Sequence, residues 1–433
     1  MNNLIPHIET RDLTEICAFQ NRLLVDALAY LQSNSLFYQR KFRKERIDTS
    51  KIKTVHDLPR ISHTDKSDLF HYNQDFICVP PSQIRDYVTT SGTSGDPITF
   101  ALTDHDLERL AYNEAISFVC AGAQKSDIFQ LMTTMDKRFM AGLAYFLGIR
   151  KLGAGMVRVG NGIPELQWES IQRFSPSTII CVPSFIVKLV EYAQKNGIDY
   201  CNSSVQKAVC IGENLREQDF SLNLLGQRIR SLWDIDLYST YASTEMSASF
   251  TECQCGHGGH HHPELLIVEL LDVQGNVVPE GEMGELTITT LGVEAMPLLR
   301  FRTGDLCCFH SEPCACGRNT LRISPIIGRL NQMLKIKGTT IYPPVLFDIL
   351  DNIEEVQNYV VEITSSDFGT DVLKILLHCP QIYEGIEKEI KDRFRAKLRI
   401  APELCLLERE EILKIQKMAE RRKPIKFIDN RKN

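Results

Sequence analysis

Apolar side chains recur at helical spacing from the start of the chain: Ile16, Leu23, Leu24, Ala27, Leu28 and Leu31 share one face, with polar residues between them. That period predicts helices over about 11–75. A turn-rich stretch follows at Ser91–Pro97, and a second helical run is expected from about Asp104 to Gly122. The texture then changes. Thr178-Ile-Ile-Cys-Val182 is a continuous apolar run of strand length, and Gln206-Lys-Ala-Val-Cys-Ile211 is another. Between them Phe185, Ile186, Leu189, Val190 and Ala193 keep a helical period, with Ser184 expected as the N-cap and Asn196-Gly197 as the stop. Strands alternating with helices at this spacing imply a mostly parallel sheet flanked by helices.

From about residue 265 the runs shorten. Leu265–Leu271, Gly284–Leu291 and Arg300–Phe309 are separated by Gln274-Gly275-Asn276 and Glu280-Gly281, the pattern of a small antiparallel sheet. A boundary is expected near Gly328-Arg-Leu-Asn-Gln332. Beyond it come strands at Tyr359–Ile363 and Leu373–His378 and a helix over about Ile386–Lys397. The predicted architecture is α/β. A large N-terminal body (1–327) carries the mostly parallel sheet and the small antiparallel one, a hinge spans 328–332, and 333–433 form a small mobile α/β domain.

Composition narrows the class. Apolar residues are 43% and charged residues 24% of 433, the balance of an ordinary folded protein. A formal charge of −6 provides no global basic field for nucleic acid. No apolar stretch approaches the roughly 18 residues of a membrane span. The first residues lack a basic stretch followed by an apolar run, so no secretory signal is expected and the expected compartment is the cytoplasm. Of the fourteen cysteines, eight are scattered singly; Cys253/Cys255 and Cys307/Cys308/Cys314/Cys316 form two clusters, which favours a metal over disulfides.

The chemistry begins at Thr89-Thr-Ser-Gly-Thr-Ser-Gly-Asp-Pro97, where seven of nine residues are Gly, Ser or Thr. Glycines let backbone N–H groups approach an anion, and hydroxyls add donors. No Gly-Lys-Ser/Thr follows, so this is not the common nucleotide loop. Further on, Tyr241-Ala-Ser-Thr-Glu245 follows a predicted strand, Asp236–Thr240. A tyrosine there can lie on a purine, and a glutamate can hold Mg²⁺ between phosphates. Phe301-Arg-Thr-Gly-Asp305 is expected to put a carboxylate after a tight glycine turn at the end of a strand, where it can accept ribose hydroxyls.

In this order these segments resemble the acyl-adenylate-forming (AMP-binding) superfamily, and within it the phenylacetate–CoA ligase family. The likeness runs from about Tyr38 to the C-terminus. It implies that Ser91, Gly92, Thr93, Ser94 and Gly95 cradle the ATP β- and γ-phosphates, and that Gly212, Glu213 and Tyr241 surround the base. Asp305 and Arg329 would take the ribose side. Glu245 would hold Mg²⁺, while Thr244 and Lys423 would meet the α-phosphate or the substrate carboxylate. Two departures stand out. Asn331 occupies the hinge position where the family usually has aspartate, and Arg422-Lys423-Pro424 replaces the usual Gly-Lys, leaving Lys426 as a rival. The activity implied is adenylation of a carboxylic acid, aryl or arylacetic, followed by transfer to coenzyme A, with domain rotation between the steps. Transfer to another acceptor (a deazaflavin or a carrier protein) is the nearest alternative, and a non-catalytic zinc-stabilised nucleotide-binding module is the other. A homodimer is the assembly such relatives suggest.

Glu252-Cys-Gln-Cys-Gly-His-Gly-Gly-His-His-His262 and Pro313-Cys-Ala-Cys-Gly-Arg318 offer thiolates and imidazoles for a four-coordinate structural Zn²⁺. Cys314 and Cys316 supply one pair, and Cys253 or Cys255 with one of the four histidines the other. The family resemblance favours Cys253, His260, Cys314 and Cys316, with His257, Cys255 and Cys308 as substitutes. Phe139, Tyr145 and Phe185 are candidate walls of the acid pocket, though each equally suits core packing.

Overall fold

The computed structural model describes residues 5–90, 98–336, 339–365, 371–398, 400–417 and 424–431. They divide into two units, one running to Ile326 and the other from Ile327.

The first unit opens with α1 (Leu13–Asn34), α2 (Leu36–Glu45) and α3 (Lys66–His71). Asp12 caps α1 by accepting the Glu15 N–H, and Ser35 separates α1 from α2 and caps the latter. Leu24, Leu28 and Leu31 lie at most 1% exposed, so the period seen in the sequence is the buried stripe. Each such side chain contributes roughly 2 kcal/mol of burial. Next come β1 (Ile84–Thr89) and β2 (Thr99–Thr103), paired antiparallel, and α4 (Asp104–Cys120), which begins in a Thr103/Asp106 capping box.

The alternating part follows as β3 (Ile128–Leu131), α5 (Met140–Leu152), β4 (Gly155–Arg158), α6 (Pro164–Phe174), β5 (Thr178–Cys181), α7 (Pro183–Lys195), β6 (Lys207–Ile211), α8 (Leu224–Leu232) and β7 (Asp236–Ser243). Strands β7, β6, β5, β3 and β4 lie side by side and parallel. Every residue of β5 is buried, as expected of a strand covered on both faces. Beyond β7 the same sheet continues antiparallel through β8 (Ala248–Glu252) and β9 (Gly259–His260). A separate antiparallel sheet contains β10 (Leu266–Leu271), β11 (Gly284–Thr290) and β12 (Phe301–Cys307). The long sheet ends with β13 (Phe309–His310) and β14 (Arg322–Ile323), giving nine strands among the described residues.

Two local expectations are corrected. Helix α7 starts at Pro183, with Val182 and not Ser184 as its N-cap. Proline presets the first helical φ, and the Ser184 N–H and hydroxyl are taken by Glu213 from the neighbouring strand end. Asp305 stands inside β12, not at a strand end. The register jumps between Glu285↔Leu306 and Thr287↔Arg302, so β12 carries a bulge there, and Gly304 at φ +82° makes the turn.

The second unit has an antiparallel pair over Asn358–Ser365 and Asp371–His378, flanked in parallel by Phe427–Asp429 and Glu403–Leu406. Helices Pro343–Asp351 and Ile386–Leu398 pack with it around Val361, Ile375, Leu377 and Phe394. Among the described residues, no helix is long and apolar enough to cross a membrane.

Candidate nucleotide site and metal cluster

Strands β6 and β7 run parallel, so the residues leaving their carboxyl ends emerge together, the place where open α/β sheets bind ligands. Gly212, at φ +78°, turns the chain out of β6. Glu213 follows and accepts the Ser184 N–H at 2.9 Å and the Ser184 hydroxyl at 3.0 Å, fixing the first turn of α7. Tyr241 lies within β7, half-buried, paired with Phe250 of β8. Its phenol donates to Asp305 Oδ2 at 2.6 Å. The bulge in β12 makes that bond possible: Gly304 N–H donates to Glu285 Oε1 and Asp305 N–H to the Thr303 hydroxyl, which turns the carboxylate toward β7. Two sequence-predicted residues from separate sheets therefore meet.

Thr244 and Glu245 sit in the turn between β7 and β8, closed by the Ser247 N–H and hydroxyl donating to the Thr244 carbonyl. Ser247 occupies the left-handed region at φ +48°, a strained position for a residue with a side chain. Arg109 of α4 holds this end of the turn. Its guanidinium is buried and donates to the carbonyls of Ser247 (2.6 Å), Leu291 (2.7 Å) and Leu265 (2.7 Å). Burial presses its pKa down to about 10. Glu245 Oε1 lies 3.9 Å from Lys66 Nζ. A parallel bridge between Thr64 and Phe301 brings Lys66 there.

Ser91, Gly92, Thr93, Ser94, Gly95 and Lys423 lie outside the described residues. Within the second unit, Arg329 ends a short strand, Gly328–Arg329, that leads into a turn of 3-10 helix, Leu330–Gln332. Lys426 is engaged: its ammonium is 3.3 Å from Asp351 and 5.0 Å from the centre of the Tyr359 ring. Tyr145 is buried in the core with Phe118 and Phe129, and Phe185 packs against a second core group around Ile186 and Leu189.

The second cluster is built by β8, β9 and the loop before β14. The ligand atoms of Cys253, His260, Cys314 and Cys316 all lie within 4.8 Å of one another. Cys253 Sγ and Cys314 Sγ are 3.6 Å apart, and Cys316 Sγ and His260 Nε2 are 3.5 Å apart. A tetrahedron with metal–sulfur bonds of about 2.3 Å and metal–nitrogen bonds of about 2.0 Å has edges of roughly 3.5–3.8 Å, so this donor set fits Zn²⁺. Cys316 is held far below the ordinary thiol range by hydrogen bonds from Cys253 and His260. His260 Nδ1 pairs with the Thr320 hydroxyl at 3.0 Å, which orients the ring. Cys255, Cys308 and His257 are outside this set of four.

Comparison with known proteins now bears on the site. A family model described as AMP-binding enzyme matches residues 25–295. The phenylacetate–coenzyme A ligase of Thermus thermophilus is 32% identical over 356 residues, covering 81% of this chain and 78% of that one. Its counterpart in Escherichia coli is 27% identical over 84% of this chain and 82% of its own. The chain belongs to the phenylacetate–coenzyme A ligase family of AMP-binding enzymes. A solved 2-hydroxyisobutyryl-CoA ligase bound to 2-HIB-AMP superimposes with a TM-score of 0.84 at 22% identity, over 98% of this chain and 92% of that one, so the ligase fold is shared.

For this ligase-family chain, Arg109 and Lys66 are the residues that sequence reading passed over. Arg109 sits mid-helix with no motif around it, and its three acceptors come from distant segments. Lys66 had one local signal, the Asp65/Asp68 capping box that starts α3, but nothing near it in sequence indicates Glu245.

Proposed function

We propose that this protein joins an aryl or arylacetic acid to coenzyme A through an acyl-adenylate, with ATP split to AMP and pyrophosphate. It is an AMP-forming acid–coenzyme A ligase. The observation that carries the site assignment is the Tyr241–Asp305 hydrogen bond at the carboxyl ends of β6 and β7, beside Gly212 and Glu213.

In the first half-reaction a carboxylate oxygen attacks the α-phosphorus and the bond to the pyrophosphate oxygen breaks. Such transfers need positioning and charge neutralisation more than covalent help. Tyr241 presents its ring to the adenine and Asp305 accepts from the ribose, with Arg329 on the same side. Glu213 holds the turn that carries Gly212. Thr244 and Lys423 meet the α-phosphate or the substrate carboxylate, and residues 91–95 donate to the outer phosphates. Glu245 would hold Mg²⁺, which neutralises phosphate charge when bound. In the second half-reaction the coenzyme A sulfur attacks the acyl carbon and AMP leaves with the bonding pair, residues 333–433 turning about 328–332 between the steps. Lys426 is already paired with Asp351, which supports Lys423 as the adenylation lysine. The four-residue cluster would hold a structural Zn²⁺ whose coordination, once closed by protein ligands, leaves no position for substrate.

Pyrophosphate exchange with a panel of acids, read beside thioester formation, tests this. Lys423→Ala is expected to abolish exchange while leaving thioester formation from a supplied acyl-adenylate. Intact exchange in that variant would overturn the assignment.

A further inference from the structure

The metal cluster does not end at its four candidate ligands. Arg318 is 3% exposed, and its Nη1 lies 3.7 Å from Cys316 Sγ while its Nε donates to Glu9 Oε2 at 2.8 Å. Glu9 is fully buried although it belongs to the first described turn of the chain, His7–Thr10. Its other oxygen pairs with His262 Nδ1, and His262 Nε2 reaches the Ser117 hydroxyl on α4 at 3.1 Å. The main chain follows the same route. Asn319 N–H donates to the Glu9 carbonyl at 2.8 Å, and the Asn319 side chain to the Thr10 carbonyl at 3.2 Å. The turn that presents Cys314 and Cys316 is thus continuous with the segment carrying Glu9, closed by Cys314 N–H donating to the Arg318 carbonyl at 3.0 Å.

Charge explains the arrangement. Three thiolates and one imidazole around a divalent ion leave a net charge of −1, and Arg318 is the cation set against it. A guanidinium that deeply buried needs a carboxylate of its own, because an unpaired buried charge is strongly unfavourable. Glu9 supplies it. Removing the Glu9 carboxylate would take away the partner that aims Arg318 at Cys316, and would leave residues 7–10 tied to this turn only by the main-chain acceptors of Asn319.

We propose that Glu9 is an outer-sphere positioning residue of the metal site, through which metal loading and docking of the N-terminal segment become one coupled event. This rests on the zinc reading of the cluster. Outer-sphere substitutions typically weaken metal affinity by about 10–100-fold, and linkage requires docking to respond to metal in return.

Full-length protein, purified without a metal-binding tag, is loaded with Zn²⁺, and its affinity is measured by competition with a chromogenic chelator. Amide exchange is followed at residues 5–12 and at Asn319. In the parent, stripping zinc should speed exchange in both segments. Glu9→Gln, which keeps the shape but not the charge, should bind zinc about 10–100-fold more weakly and exchange quickly at 5–12 even when loaded. His7→Ala, on the same turn but exposed, should change neither readout. Parent protein unable to take up one zinc per chain would sink the zinc reading itself. Parent that binds zinc, with exchange at 5–12 indifferent to the metal or with Glu9→Gln affinity within twofold, would overturn the coupling alone. If Glu9→Gln does not fold, the comparison of loaded and stripped parent still decides the matter.

Discussion

Replacing Arg109 with alanine should destabilise the first unit far more than its position in the middle of a helix suggests. The side chain makes three hydrogen bonds of 2.6–2.7 Å to the carbonyls of Ser247, Leu291 and Leu265. Bonds from a charged donor contribute about 1.5–3 kcal/mol each, or roughly 4–9 kcal/mol together. Against this stands the cost of keeping the guanidinium buried. Its pKa falls from 12.5 to about 10, and at 1.36 kcal/mol per unit that is about 3 kcal/mol. The difference leaves a net loss of about 1–6 kcal/mol, up to a large part of the stability of an ordinary domain. The two tryptophans of the chain, Trp168 and Trp233, are both buried in this unit, so their fluorescence in a urea titration reports its unfolding. The midpoint should fall with the slope unchanged. Arg109→Lys should lie between parent and alanine, since an ammonium keeps the charge but lacks the planar fork that reaches three divergent acceptors. A loss below about 1 kcal/mol for Arg109→Ala would show that the three carbonyls find other partners, and the reasoning would fail.

Other consequences can be checked on the same preparations. Glu114 is buried on α4 with its carboxyl pKa pushed up to about 8 by desolvation, so the folded protein keeps a proton that the unfolded chain releases near 4.5. Stability from this group is complete below pH 4.5 and is lost as pH rises towards 8. Glu114→Gln should therefore match the parent near pH 4.5 and exceed it by a few kcal/mol at pH 8, as read by urea titration at each pH; equal pH profiles would refute this. Tyr241→Phe removes the 2.6 Å bond to Asp305 and should raise KM for ATP about tenfold, the lower end for a hydrogen bond to a charged group, without changing KM for coenzyme A. Equal changes in both constants would argue against a nucleotide-side role.

What could be read from the sequence followed from how local each signal is. The helical stripe of α1 and the apolar runs of β5 and β6 appear where their spacing places them, because burial on one face or both is written into neighbouring residues. The Cys/His clusters were legible as metal-ligand spacing, while the choice of Cys253 and His260 among the alternatives followed from the family resemblance; with Cys314 and Cys316 they converge. Non-local causes escaped. The bulge that turns Asp305 into position depends on the register of β12 against β11, which no pattern within Phe301–Asp305 encodes. Helix α7 looked as though Ser184 should cap it, but the acceptor that fixes its first turn is Glu213, brought alongside only once β5 and β6 pair. Arg109 and Lys66 act on the turn holding Glu245 from distant segments, and neither has a neighbour that marks its partner.

The placement of the cluster explains why a structural metal would serve this fold. Reading across the long sheet, Thr240 of β7 pairs with Thr251 of β8, Thr251 with His260 of β9, and His260 with Arg322 of β14. Tyr241 is therefore one residue along its strand from a row that contains a candidate ligand, His260. Strands β9 and β14 are two residues each, too short for ladder bonds alone to set their register. A slip of one residue would turn every side chain on such a strand to the opposite face. His260 lies on β9, Cys253 directly follows β8, and Cys314 and Cys316 precede β14, so one ion bound by all four would fix three strands at once. A bound ion would thus supply at the antiparallel end of the sheet the register that strands of four to eight residues supply at the parallel end. Tyr241 stands between the two, at the edge where the nucleotide is proposed to bind.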